Sequence, residues 1–419
     1  MSEGKNALDI SAGKTKAKTY NSDNIEVLEN GLEIELLSES VTIVQEGGAW
    51  KIGNTDMQVT NLGYPKGITL QHQKNPEDNG KLIAHIFIGD SLFNNTNACF
   101  VESADGGKTW EIISRPVEQN MMNKAHGLKP GNMSHIYELP EQVGKYPAGT
   151  LVFASGSINY DMRSEIWTWY STDCGRTWKQ TTKLASGEHT GVQSWGYTGV
   201  WEPITIYDNG YLYCFYSDDR GRDVQGEHDQ ILVYRRTKDG VNWEDPVNVC
   251  KFDYHRDRPG MIIITKMGNG EFFMVYEYYG KEFKGDTNGQ IYYKTTRDLS
   301  DWGDPADPGT MIKSGDLEII GAPACLWVPA GGECGTLIVS GKNDNSDTED
   351  HRIMVSNDYG KTWITMSNPL PYVLGGNTRV GHSPTFFLGA DGRTVYYINQ
   401  TAVSENANRK LEFISFKIY

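Results

Sequence analysis

The chain has 419 residues, is rich in Gly (46), Tyr (23) and Trp (11), and carries a formal net charge of −15. The acidic balance argues against a nucleic-acid partner, whose phosphates need a basic surface. No apolar run approaches the ~18 residues of a membrane span, so we expect no membrane partner, and the composition is typical of many short strands joined by turns.

Residues 1–25 are polar and contain no apolar signal-peptide core. We expect them to form a loose arm ahead of a single domain, residues 26–419. A secreted protein without its signal would look the same, and we predict a secreted or extracytoplasmic location. The six cysteines are too scattered for a zinc site or a disulfide scaffold. Cys325 and Cys334 are near enough in sequence to bridge a hairpin, which the sequence leaves open.

One motif, Ser-x-Asp-x-Gly-x-Thr-Trp, recurs along the chain. Its Asp can hold a turn through the backbone that follows, and its Gly supplies a positive φ. Three intact and two altered copies begin at Ser103, Ser171, Ser356, Thr237 and Thr296. The tryptophans that end them can pack between neighbouring sheets, and they stand at Trp110, Trp178, Trp243, Trp302 and Trp363.

This repeat resembles the Asp-box of sialidase-like β-propellers, and the resemblance covers residues 57–419. It implies an all-β fold in which each repeat is one blade of four antiparallel strands. Five boxes and a boxless segment, residues 377–419, predict six blades. Because a propeller must hide its sheet edges, we expect a strand within residues 32–50 to pair with the C-terminal segment and close the ring.

The innermost strand of most predicted blades begins beside a proline, which favours an extended backbone at the preceding residue. Innermost strands start at one face, around the central channel. We therefore expect the charged residues near these starts to converge on one funnel: Lys66, Glu202, Arg258, Arg379 and His382. Charged groups rarely stand at such positions unless they are paired, so the structural alternative is a ring of ion pairs around the channel.

A second carboxylate, Glu277, lies in an apolar strand between Tyr276 and Tyr278. A lone strand glutamate is usually solvated, but this one is one blade away from Glu202, and we expect it to face the same funnel. Two such carboxyls are what a glycosidase needs, one ionised and one protonated. Nearby aromatic rings would stack on sugars unless they belong to the core: Trp167, Trp169, Trp195, Tyr197 and Trp201.

Ordered runs in predicted blades two to four resemble the exo-1,5-α-L-arabinanases of glycoside hydrolase family 93. They span residues 136–140, 146–150, 155–158, 200–203, 216–220, 257–261 and 275–278. The resemblance implies a retaining exo-acting hydrolase that releases arabinobiose from the non-reducing end of α-1,5-L-arabinan, without a cofactor or metal. It also implies that Glu202 is the nucleophile and Glu277 the acid/base, with Tyr372 as a supporting tyrosine.

The expected substrate-binding residues are Lys66, Trp201, Tyr216, Asp219, Arg220, Arg258, Tyr278, Arg379 and His382. True sialidases carry Arg-Ile-Pro where this chain reads Tyr-Pro-Lys-Gly-Ile, residues 64–68. A sialic acid carboxylate is best bound by converging arginines, so a sialidase-like enzyme on another glycan is the second interpretation. A non-catalytic carbohydrate-binding propeller is the third. In every case the expected partner is an oligosaccharide or polysaccharide, and we expect a monomer.

Overall fold

The computed structural model describes residues 24–52, 55–90, 96–116, 129–158, 164–187, 199–222, 227–280, 289–345, 351–372, 380–404 and 407–419. Arg379, Trp195, Tyr197 and nearly all of the predicted N-terminal arm lie outside these residues. Within them, one short 3-10 helix, Pro76–Asp78, accompanies the β-strands. No helix among the described residues has the length and apolar character needed to cross a bilayer.

The strands of the first half of the chain follow one another in sequence. They are β1 (Ile25–Val27), β2 (Glu33–Leu36), β3 (Val41–Gln45), β4 (Ala49–Ile52), β5 (Thr55–Thr69), β6 (Leu82–Asp90), β7 (Thr96–Ser103), β8 (Glu111–Ser114), β9 (Lys129–Glu138), β10 (Leu151–Ile158), β11 (Ser164–Ser171), β12 (Lys179–Ser186), β13 (Val200–Asp208), β14 (Tyr211–Asp218), β15 (Ile231–Thr237) and β16 (Val247–Cys250).

The second half continues in the same way. Its strands are β17 (Arg258–Lys266), β18 (Phe272–Tyr279), β19 (Gln290–Thr296), β20 (Thr310–Met311), β21 (Lys313–Ser314), β22 (Leu317–Ile320), β23 (Ala324–Val328), β24 (Thr336–Ser340), β25 (Asn343–Asp344), β26 (Ile353–Ser356), β27 (Ile364–Met366), β28 (Thr385–Leu388), β29 (Thr394–Thr401) and β30 (Lys410–Ile418).

The described strands pair into antiparallel sheets that we number along the chain. Sheet 1 has the order β4-β5-β6-β7-β8, sheet 2 β12-β11-β10-β9, and sheet 3 β13-β14-β15-β16. Sheet 4 has the order β17-β18-β19-β22-β21, with β20 on β19 and β25 on β22. Sheet 5 has the order β23-β24-β26-β27, and sheet 6 the order β1-β2-β30-β29-β28, with β3 also on β30.

The predicted all-β propeller is confirmed, but the predicted four strands in every blade are not. Sheets 2, 3 and 5 have four strands, whereas sheet 1 has five, sheet 4 has seven and sheet 6 has six. In sheets 4 and 6 the additional strands are short segments beyond the long strands β19 and β30, respectively, whereas in sheet 1 the additional strand β4 pairs with the first residues of β5. They arise because unpaired edge N–H and C=O groups favour pairing with any adjacent extended segment.

Apolar clusters join each sheet to the next one along the chain, and the repeated tryptophans contribute to them. Trp178 of sheet 2 stacks on Phe100 of sheet 1, with ring centroids 4.3 Å apart. Three further ring pairs join neighbouring sheets through edge-to-face or tilted contacts: Trp302 and Phe215, Trp363 and Phe273, and Trp110 and Phe413. The predicted packing of these tryptophans between neighbouring sheets is therefore confirmed for these four.

The repeated motif closes its turn through hydrogen bonds that saturate the aspartate. In the first copy, Asp105 accepts the backbone N–H of Thr109 at 2.9 Å and its hydroxyl at 2.6 Å. The Ser103 hydroxyl donates to Asp105 at 2.8 Å and accepts the N–H of Gly107 at 2.8 Å. The copies at Ser171 and Ser356 repeat this arrangement. Cys325 and Cys334 do not form a disulfide.

Candidate active site

Glu202 stands at a bulge where β13 begins. The ladder with β14 pairs Trp201 with Ser217 and then Ile204 with Phe215, so that Glu202 and Pro203 together oppose one residue. Glu202 has a φ of 48°, so the extended backbone that we predicted for it is wrong. The bulge is the reason, because it frees the residue from the regular ladder and tolerates a proline without an N–H.

The same left-handed residue recurs at the start of other innermost strands. Tyr64 has a φ of 45°, Met261 of 54°, Ala322 of 43° and Ser383 of 56°. In sheet 4 the position that corresponds to Glu202 is therefore Met261 and not Arg258, three residues earlier. A non-glycine residue in this region costs about 1–3 kcal/mol and is characteristic of functional sites.

Glu202 and Glu277 lie on neighbouring sheets, and the charge of Glu277 acts on Glu202. Glu277 lies on β18 opposite Gly260, and its Oε2 accepts the backbone N–H of Ala322 at 2.7 Å. Glu202 lines a small pocket together with Tyr64, Lys66 and Ser383. Both glutamates remain partly exposed. The two carboxyls are thus largely shielded from water and yet accessible from the funnel.

Burial and the charge of Glu277 raise the pKa of Glu202 to about 8, against a hydrogen bond with Ser217 and the positive charge of Arg258. Burial also raises the pKa of Glu277, whereas the Ala322 N–H, Arg258 and Lys342 oppose that rise. Two carboxyls that interact in this way titrate as a pair. Burial thus favours the protonated form of Glu202, while the groups around Glu277 favour its ionised form, an inequality that suits an acid working beside an ionised partner.

Arg258 is the cation shared by the two carboxyls. Its Nη2 donates to the Gln230 Oε1 at 2.8 Å, and its Nε is buried without a hydrogen-bond partner among the described residues. Its positive charge opposes the rise in the pKa of both Glu202 and Glu277. Among the described residues, no side-chain nitrogen of a cation lies within 4.0 Å of a carboxylate oxygen of either glutamate. A ring of structural ion pairs therefore does not describe this site.

Lys66 faces Glu202 but is held by sheet 6. Its Nζ donates to the Ser383 hydroxyl at 2.8 Å and to the carbonyls of Ser383 and Pro384 at 3.3 and 3.4 Å. Burial lowers the pKa of Lys66 to about 7, although Glu202 opposes this. Beneath it, the channel is a cavity of about 310 Å³ between the innermost strands. Lys66 therefore forms the floor of the site.

Asp219 positions the segment that leads to Glu202. It accepts the indole N–H of Trp201 at 2.7 Å and the backbone N–H of Gly199 at 2.5 Å, and Arg222 lies 3.7 Å away. Asp219 is buried, which raises its pKa to about 6. Trp201, in contrast, is partly exposed. The tryptophan is thus available to a ligand, whereas the aspartate fixes its ring.

Two predicted substrate-binding tyrosines lie in the core, and that prediction was wrong for them. Tyr216 belongs to a buried cluster with Val200 and Cys214, and Tyr278 donates to Asp257 at 2.5 Å within another cluster. Successive side chains of a strand point to opposite faces. When Glu277 faces the funnel, its neighbours therefore face the core.

The remaining predicted residues lie around the site rather than in it. Arg220 is exposed and binds Asp218, with its Nε 2.8 Å from Oδ1. Tyr372 is buried, donates its hydroxyl to the Lys342 carbonyl at 2.7 Å and stacks on His351. His382 packs against the ring of Tyr64 with centroids 5.1 Å apart. Arg379 lies outside the described residues.

Sequence reasoning missed three groups that contact or face the carboxyls: Ser217, the Ala322 N–H and Lys342. A signal existed for two of them, because Ser217 and Lys342 stand at the ends of second strands, where Glu277 also stands. The polar character of those positions carried no information about which carboxyl each would face. The Ala322 N–H left no signal, since a backbone group is the same in every residue.

Comparison with solved structures gives extensive matches to arabinan-degrading enzymes. An α-L-arabinanase of Penicillium chrysogenum, complexed with arabinobiose, is 26% identical with a TM-score of 0.72, and the match covers 90% of this chain and 97% of that one. The α-L-arabinofuranosidase of family 93 from Fusarium graminearum, with arabinobiose, is 23% identical with a TM-score of 0.72, covering 91% and 98%.

A Hadza microbial sialidase is 16% identical with a TM-score of 0.53, covering 85% of this chain and 65% of that chain, which bears on the fold alone. A scan against protein-family models gave no match, and a search of curated proteins gave none either. The resemblance of this chain to the family 93 arabinanases and arabinofuranosidases on a β-propeller is thus confirmed by the solved structures.

Proposed function

We propose that this protein is a retaining, exo-acting glycoside hydrolase that releases arabinobiose from the non-reducing end of α-1,5-L-arabinan. The observation that carries the proposal is the coupled pair of Glu202 and Glu277 on neighbouring sheets, one of them on a strained bulge. The similarity to two enzymes whose structures hold arabinobiose supports the choice of substrate.

The proposed reaction has two displacements. In the first, one carboxylate attacks the anomeric carbon and forms a covalent bond to the sugar, while the other carboxyl protonates the leaving oxygen. In the second, the same acid/base group removes a proton from water, which attacks the anomeric carbon and releases the first carboxylate. Arg258 would stabilise negative charge on both groups, and Trp201 would offer its ring to a sugar face.

The resemblance implies that Glu202 is the nucleophile and Glu277 the acid/base. The environment favours the reverse in the unliganded protein, because Glu277 has a backbone N–H and two cations to stabilise its ionised form. The Glu202→Gln and Glu277→Gln variants separate these assignments. The acid/base variant should keep turnover on an aryl arabinoside with a good leaving group, and the nucleophile variant should not.

The main test is hydrolysis of linear α-1,5-arabinan, with the products identified by chromatography and their anomeric configuration followed by NMR. We expect arabinobiose with retained configuration from the wild type and none from Glu202→Gln. Glu271→Gln, at the start of the strand that carries Glu277, is the matched control and should be as active as wild type. Equal activity of wild type and Glu202→Gln would refute the proposal.

Other glycans remain the alternative, since the fold also resembles a sialidase. The cation nearest to Glu202 on sheet 1 is Lys66, and its bonds to Ser383 and Pro384 leave it poorly placed to bind a carboxylate. A fluorogenic sialoside should therefore not be cleaved. A non-catalytic carbohydrate-binding protein would instead show calorimetric binding of arabinan oligomers without turnover.

We further propose that each sheet is one of six blades of a single domain, residues 26–419, and that the ends of the chain close the ring. The pairing of β2 and β3 with β30 supports this closure, as does the cluster that packs Phe413 of sheet 6 with Leu62 of sheet 1. The monomeric state and the secreted location stay predictions.

A further inference from the structure

Glu277 meets the end of a neighbouring sheet at a short loop, Gly321-Ala322. The Ala322 N–H donates to Glu277 Oε2 at 2.7 Å. On the other side of the loop, the backbone N–H of Lys342 donates to the Gly321 carbonyl at 2.7 Å. The carboxylate of Glu277 and the backbone of Lys342 are thus bonded to adjacent residues of the same loop.

The backbone of Lys342 is fixed at both ends. Its N–H is bound by Gly321, and its carbonyl accepts the Tyr372 hydroxyl at 2.7 Å. A side chain built at Gly321 would meet the Lys342 Cβ at 3.7 Å and Glu277 Oε2 at 3.8 Å. The Lys342 Cβ and the Glu277 carboxylate therefore border the same space beside Gly321, and Lys342 is partly exposed.

The charged groups that act on the pKa of Glu277 are Arg258 on β17 and Lys342, and the charge of Glu277 in turn raises the pKa of Glu202 on β13 and of Tyr279 on its own strand. Arg258 acts on both carboxyls. Lys342 interacts with Glu277, and the interaction is mutual, lowering the pKa of Glu277 and raising that of Lys342 against burial. Lys342 is not among the largest influences on the pKa of Glu202, which are burial, Glu277, Ser217, Asp219 and Arg258. Lys342 thus distinguishes two otherwise similar carboxyls.

We propose that Lys342 is a positioning residue that acts as a selective counter-ion of Glu277 and makes the two carboxyls of the site unequal. The role in catalysis rests on the proposed hydrolase function. With Glu277 as the acid/base that the resemblance implies, its carboxyl must be ionised when it removes a proton from the attacking water, and the nearby cation favours that ionised form. Without that cation, Glu277 would retain its proton to higher pH, and its carboxylate form would become scarce in the second displacement.

The test compares Lys342→Met with Lys342→Arg, which keeps the charge, and with Lys108→Met, which removes the same charge from an exposed turn far from the site. The acidic limb of the pH profile of activity, along which Glu277 becomes ionised, should move to higher pH by ~1 unit in Lys342→Met. It should move little in Lys342→Arg and not at all in Lys108→Met. A limb that stays in place in Lys342→Met, or moves equally far in Lys342→Arg, would overturn the proposal.

A second measurement is independent of turnover. The carboxyl of Glu277 can be titrated by ¹³C NMR in protein labelled at glutamate, with Glu277→Gln to assign the signal. We expect its midpoint to rise in Lys342→Met. If this shift occurs but arabinan is not hydrolysed, the hydrolase proposal fails and the counter-ion proposal stands. If the midpoint does not change, the counter-ion proposal fails.

Tyr372→Phe provides a further variant should Lys342→Met not fold. It removes only the hydroxyl that holds the Lys342 carbonyl, and the ring can remain stacked on His351. The midpoint of Glu277 should rise in the same direction, by less than in Lys342→Met. A fall of that midpoint in folded Tyr372→Phe would contradict the proposed positioning.

Discussion

The carboxylates of the repeated turns and those of the funnel are the same chemical group under opposite conditions. Hydrogen bonds from Thr109 lower the pKa of Asp105 to about 2 in an exposed turn. Burial and a neighbouring charge raise the pKa of Glu202 to about 8. The turn aspartates are fully hydrogen-bonded and stabilise the fold. The funnel glutamates carry few hydrogen bonds and destabilise it, which is what leaves them reactive.

The comparison also separates what is repeated from what is unique. The turn motif occurs in several sheets because every sheet needs the same closure. Glu202 stands where other sheets have Tyr64, Met261, Ala322 or Ser383, and Glu277 stands where sheet 3 has Ser217. A departure from a repeated pattern is thus the better indicator of chemistry, and the pattern itself indicates the scaffold.

The Glu202→Gln substitution is the strongest test of the difference between the turn aspartates and the funnel glutamates. If the funnel carboxyls serve chemistry, kcat on arabinan should fall by at least ~10³-fold, while the melting temperature should not decrease. Kinetics and calorimetry on the same preparation check both outcomes. A large loss of stability with retained activity would instead show that Glu202 has a structural role, as the turn aspartates do.

Replacing the two arginines near the site, Arg258 and Arg220, should affect kcat/KM to different extents. The positive charge of Arg258 acts on both carboxyls, so Arg258→Met should lower kcat/KM by ~10²-fold. Arg220 is exposed and pairs with Asp218, so Arg220→Met should change kcat/KM by less than ~3-fold, as expected for a surface ion pair. Similar losses in both variants would show that position relative to the carboxyls does not matter.

Stability should depend on pH in opposite ways in the two regions. Between its ordinary value of 4.5 and about 8, the folded protein keeps a proton on Glu202 that the unfolded chain has released. The contribution of this group to stability therefore falls as the pH rises. Chemical denaturation at pH 5 and pH 8.5 should show Glu202→Gln gaining roughly 1–3 kcal/mol over wild type at the higher pH. An equal difference at both values would contradict the raised pKa.

The smallest effect is expected from the turns. Asp105→Ala removes the acceptor for Thr109 and should lower the free energy of unfolding by about 1 kcal/mol, with unchanged kcat/KM. Because the folded pKa of Asp105 is depressed, its contribution is present above 3.8 and lost as the pH falls through about 2. Denaturation at pH 7 and pH 2 tests this, and a loss of activity in Asp105→Ala would refute the division between the two regions.

Much of the scaffold could be predicted because turn chemistry is local: an Asp, a Gly and a Trp within eight residues determine a turn and its packing. Glu202 and Glu277 stood out as charges in apolar strands. The orientation of Tyr216 and Tyr278 depends on which face of its strand points to the funnel, and the sequence alone does not determine that face. The partner of Lys66 lies 317 residues away, at Ser383, and no short pattern relates them.

The left-handed residue that begins β13 has counterparts in sheets 1, 4, 5 and 6, and each provides a similar point from which a side chain is presented near the channel mouth. Only one of these five positions holds an acid in this chain. Exchanging Ala322 or Ser383 for glutamate would relocate a reactive group around the axis without redesigning any strand. Moving a reactive side chain from one sheet to another while the propeller stays unchanged offers a route by which proteins of this fold acquire new specificities.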